Sequence, residues 1–122
     1  MKKKLNTTEI NLETLESYAS KNQNFIVEIL NIYIEEMPIE HEILLNAIEH
    51  YDMPKIVFQA HKMLNNAQLC GVQPLSDLLI LLEDEIKNVN STLDIEFTKI
   101  EIKKSIDESL TLIKEITNNL LA

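Results

Sequence analysis

Gln59-Ala60-His61-Lys62-Met63-Leu64-Asn65-Asn66-Ala67-Gln68-Leu69-Cys70-Gly71 is the stretch around which this chain of 122 residues is organised. At about 100° per residue, Val57, Ala60, Leu64 and Ala67 share one face, so the stretch reads as an amphipathic helix. Asp52 can cap its start, and Pro54 is tolerated in the first turn, where its missing N–H has no ladder partner to lose. Gly71, the single glycine of the chain, can take the left-handed conformation that closes a helix. Pro74 then suits the first turn of the next.

Working outward, the next helix carries Leu75, Leu78, Leu79, Leu82, Ile86 and Val89 on its inner face. Asn88 to Thr92 is polar turn chemistry, and Ile95, Ile102, Ile106, Leu110, Ile113, Ile116 and Leu120 then give the longest clean apolar stripe. Toward the N-terminus, Phe25, Ile26, Ile29, Leu30, Tyr33, Met37, Leu44, Ile48 and Tyr51 recur at spacings of three and four from Asn24 onward. The stripe resumes in phase after Pro38, which predicts one long helix bent there and not two separate ones. Asn11 can cap a short first helix with Leu12, Leu15 and Tyr18 on its apolar face, ended by Ser20 to Asn24. Residues 1–8 read as a charged and polar lead-in expected to fray. The sum is a single all-α domain spanning residues 1–122: an antiparallel four-helix bundle with a short extra N-terminal helix.

Composition narrows the function. Three prolines and one glycine leave too few turn signals for a β-sandwich. A formal charge of −9 opposes binding to nucleic acid and to anionic membranes, because such affinity rests on Lys and Arg neutralising phosphates. The longest apolar run, Leu78 to Leu82, is far short of the ~20 residues that span a bilayer, so no membrane insertion is expected. Met-Lys-Lys-Lys-Leu is followed by polar residues and not by the apolar core of a signal peptide, and Cys70 has no partner for an internal disulfide. A cytoplasmic monomer is the simple expectation. No Gly-rich phosphate loop exists, so the chain is not expected to be a kinase itself. His41 and His50 form no Glu-x-x-His pair, which leaves no case for a metal or other cofactor.

His61 lies about 80° from the centre of the predicted buried face, at the rim, where one ring nitrogen can reach solvent. Ala60 before it, Met63 two after it and Gly71 ten after it make the stretch resemble the histidine-containing phosphotransfer (HPt) domain of bacterial phosphorelay and two-component signalling. Leu64 and Asn65 stand where that family has Lys-Gly. The resemblance implies a phosphocarrier whose His61 accepts a phosphoryl group from an aspartate of a receiver domain and passes it on. Its partners are then a response-regulator receiver or a hybrid histidine kinase, with Mg²⁺ carried by the receiver. The alternative is a degenerate HPt-like binding module that docks such partners without carrying phosphate. On antiparallel helices joined at Gly71, Glu83 sits at the height of His61, and with one hand of the bundle the two converge. Some members of the family place Glu or Gln at this spacing, which makes Glu83 the candidate to orient the imidazole. A receiver reaching His61 must cover Phe58, Lys62, Leu64, Asn65 and Gln68.

Overall fold

The computed structural model describes residues 1–88 and 94–121. Five helices account for most of them: α1 (Glu13–Tyr18), α2 (Gln23–Glu49), α3 (Met53–Leu69), α4 (Leu75–Lys87) and α5 (Ile95–Leu121). Three short strands complete the order, with β1 (Lys2–Leu5) and β2 (Thr8–Asn11) before α1, and β3 (Val72–Gln73) between α3 and α4. Helices α2 to α5 form the antiparallel bundle. Each packs on its neighbour in sequence, and α5 closes back on α2. Its interior is built from Leu30, Tyr33, Met37, Leu44, Met63, Leu79, Leu82, Ile106 and Ile113, all essentially without solvent contact.

Local chemistry sets the helix ends. The Asp52 side chain accepts from Lys55 N at 3.2 Å, which is the expected cap of α3 with proline in its first turn. Asn22 caps α2, accepting from Phe25 N at 3.1 Å. α2 then runs unbroken through Pro38, because its stripe stays in phase on both sides and packing against α3 and α5 outweighs one lost ladder bond. The Asp94 carboxylate accepts from Phe97 N at the start of α5. The turn expected over Asn88 to Thr92, and Val89 with it, falls largely in 89–93, outside the described residues.

The N-terminus departs from expectation. Residues 2–5 do not fray; they pair antiparallel with β2, Lys3 opposite Ile10 and Leu5 opposite Thr8, and β2 pairs in turn with β3 through Ile10 and Val72. The period-2 burial of Thr8, Ile10 and Leu12 is the reason: one face of β2 lies on the bundle. Glu108 of α5 fastens the hairpin, accepting from Asn6 Nδ2 at 2.5 Å and from Thr8 Oγ1 at 2.7 Å. Asn11 is the last residue of β2 and not the cap residue of α1, though its side chain does accept from Glu13 N at 3.0 Å.

Gly71 has a stricter task than closing a helix. Its φ is +66°, and Asn11 N donates to its carbonyl at 2.9 Å. A Cβ at this position would lie 1.7 Å from Asn11 O, so the β2 backbone passes where any other residue would carry a side chain. The turn that joins α3 to α4 is thereby clamped to the sheet.

Candidate functional site

α3 and α4 descend side by side from the Gly71 turn, and the site lies on the groove between them. The buried residues of α3 are Ile56, Gln59, Ala60, Met63, Leu64 and Ala67, whereas Val57 is only half-buried. The burial axis is therefore rotated toward Ile56 and Met63, roughly 130° from His61 and not the 80° of the sequence reading. The consequence is an open imidazole: the His61 side chain is 62% exposed.

The hand of the bundle is the one that makes His61 and Glu83 converge. His61 Nδ1 lies 3.4 Å from Glu83 Oε2, at the long end for a hydrogen bond but well within ion-pair range. Glu83 is itself 14% exposed, held in the groove, and its other oxygen accepts from Lys87 Nζ at 2.9 Å. That bond to Lys87, with help from His61, pulls the Glu83 carboxyl below its usual value despite partial desolvation. A single carboxylate thus joins the imidazole to an ammonium one helical turn farther along α4. Lys87 escaped the sequence reading, although Glu83 and Lys87 stand at the i, i+4 spacing that pairs side chains on a helix.

The remaining predicted residues divide. Phe58 is 70% exposed, Asn65 and Gln68 are exposed, and Lys62 is exposed on the side of α3 that faces α2. There Lys62 Nζ lies 3.9 Å from Glu40 Oε1, in a cluster where Asn66 Nδ2 also reaches Glu40 and Gln59 Nε2 donates to the Glu40 carbonyl. Burial raises the Glu40 carboxyl, partly offset by Lys62. Leu64 does not belong to the surface. At 8% exposure it is part of the core, on the apolar face it shares with Ala60 and Ala67, and it stays buried although the observed burial axis is turned away from it. α1 does not cover Phe58; its Tyr18 stacks on Phe25 of α2, ring centroids 6.0 Å apart.

The other candidate groups lie apart from this groove. His50 is exposed at the end of α2, its Nδ1 on Asn46 O at 2.8 Å. His41 is buried, with Nε2 unpartnered. Cys70 is buried and its thiol is pushed up to about 12, which removes it from nucleophilic chemistry. Among the described residues no cluster of three or more His, Cys, Asp or Glu is arranged to hold a metal ion, and no helix is long and apolar enough to cross a membrane.

A sequence-family model described as the Hpt domain matches residues 28–119, from the first turns of α2 nearly to the end of α5. Among solved structures, the crystal structure of the HPT domain from the Hpt sensor hybrid histidine kinase from Shewanella matches with a TM-score of 0.76. The alignment covers 93% of this chain and 97% of that one at 20% sequence identity, which is a likeness of fold. No curated protein matches.

Proposed function

Because this chain belongs to the Hpt domain family, whose members serve phosphotransfer in phosphorelays, we propose that it is a phosphocarrier with His61 as the accepting residue. The observation that carries the proposal is the pairing of an open His61 ring with a groove-bound carboxylate at Nδ1. Glu83 favours the tautomer with the proton on Nδ1, which leaves the Nε2 lone pair free to attack. Phosphoryl transfer asks the acceptor for little beyond such positioning. The donor is the aspartyl phosphate of a receiver domain, which also brings Mg²⁺. The chain needs no kinase activity of its own, and it works in the cytoplasm beside its receiver.

Docking falls to the exposed residues around His61: Phe58, Lys62, Asn65 and Gln68. Phe58 is the apolar anchor, with polar residues around it. The second reading, a module that docks without carrying phosphate, draws on Leu64 and Asn65 standing where the family has Lys-Gly. One experiment divides them. Incubated with a phosphorylated receiver domain, the protein is expected to take up acid-labile, base-stable label that His61→Gln abolishes. A folded wild-type protein that binds the receiver but takes no label supports the docking module instead.

A further inference from the structure

A phosphoryl group arriving at His61 brings negative charge into a groove whose nearest charged group is the Glu83 carboxylate, so it needs a cation. The position one turn after the histidine, Leu64, is apolar and buried. Lys62 is turned toward α2 and lies 3.9 Å from Glu40. The cation that the structure does bring to this groove is Lys87, at the last turn of α4, separated from His61 Nδ1 only by the width of the Glu83 carboxylate. Its side chain is 59% exposed, so the ammonium is free to swing toward solvent and away from Glu83.

Resting on the carrier reading, we propose that Lys87 is the phosphoryl-binding cation of this site, supplied across the α3–α4 groove in place of a lysine on α3. In the transfer, the Nε2 lone pair forms the N–P bond as the bond from phosphorus to the aspartyl oxygen breaks, and that oxygen leaves with the electron pair as carboxylate. The Nδ1 proton stays on the ring, so the phosphorylated imidazole becomes cationic and binds Glu83 more tightly. Lys87 is then redundant on Glu83. It turns its N–H donors to the phosphoryl oxygens, where charge-assisted bonds are short and strong. Glu83 therefore acts as a relay that exchanges one cation for another.

The test uses phosphoramidate, which can phosphorylate an exposed imidazole without a receiver, followed by transfer from a phosphorylated receiver domain at low ionic strength. For an exposed cation, Lys87→Gln is expected to slow formation of the phosphohistidine by about fivefold. Lys87→Arg should stay near wild type. Asn65→Lys, which places an ammonium one exposed turn from His61, should restore much of the rate in the Lys87→Gln protein. In a Glu83→Gln background, Lys87→Gln should still slow the reaction, because the lysine acts on the phosphoryl group itself. Several outcomes overturn the proposal: a wild-type rate in Lys87→Gln, loss of the effect in the Glu83→Gln background, or a rate loss that only tracks a lowered melting temperature. Absence of label on the wild type removes the carrier reading and this one with it, whereas label on the wild type with Lys87→Gln unaffected removes Lys87 alone.

Discussion

At the scale of single residues, exposure separates the docking surface from the core. Phe58 is 70% exposed and uncovered by α1, so Phe58→Ala should leave the melting temperature within about 2 °C of wild type while weakening receiver binding by roughly tenfold. Equilibrium binding and thermal melts, run side by side, check this; a fall in stability with unchanged affinity would make Phe58 a packing residue. Leu64 makes the opposite case. Its type, one turn from His61, invites replacement by lysine to supply the missing charge, but at 8% exposure the ammonium would enter the core. Leu64→Lys is expected to lose about 2–3 kcal/mol in chemical denaturation, whereas Asn65→Lys should be neutral within about 0.5 kcal/mol. A Leu64→Lys protein as stable as wild type would contradict the burial. Helical periodicity puts Leu64 on the buried face, and only its nearness to His61 sets it among the docking residues. The turn of the burial axis is not legible in the sequence, because Val57 and Ile56 are both β-branched apolar residues and packing against α2 and α4 decides which of them points inward.

At the scale of elements, the bundle was legible and its attachments were not. The cap at Asp52 and most of the stripes of α2 to α5 are local, each written within one helix, and they emerge as read, except that Phe25 and Tyr51 of the α2 stripe are exposed and the buried face of α3 is turned. The sheet is not local. β1 has a polar sequence that looks like a fraying tail until Glu108, about a hundred residues on, accepts from Asn6 and Thr8. Gly71 shows the same limit, since a helix-closing glycine was evident but the passage of Asn11 O through its Cβ position was not. Gly71→Ala therefore combines left-handed strain with a backbone clash and should cost about 3 kcal/mol, more than the ~1 kcal/mol expected of a plain helix-closing glycine. Denaturant unfolding measures the difference; a loss below about 1 kcal/mol would mean that the sheet yields easily. Because this turn joins the helices that bring Glu83 to His61, the same variant should also slow phosphorylation.

At the scale of the whole molecule, one buried group ties stability to pH. Burial lowers the His41 pKa from 6.5, against the opposing pull of Asp107 and Glu42 and with a small added push from Lys103. In the window below 6.5 the unfolded chain binds more protons than the folded one, so the stability contributed by neutral His41 is full above that value and is lost as the pH falls toward the lowered folded-state value. Glu40, raised by burial, works in the other direction over the upper carboxylate range, so the wild-type curve alone is a poor guide. The stability difference between His41→Leu and wild type isolates the histidine. It should shift in the variant's favour as the pH falls from about 7.5 to about 5. A difference independent of pH would show that His41 is protonated without penalty. The claim on which function rests is narrower: Nε2 of His61 carries the phosphoryl group while Nδ1 faces Glu83. Phosphorus–nitrogen couplings in ¹⁵N-histidine-labelled, phosphorylated protein test it most directly. The prediction is one phosphorylated ring, absent in His61→Gln, with phosphorus bonded to Nε2; phosphorus on Nδ1, or on the ring of His41 or His50, would contradict it.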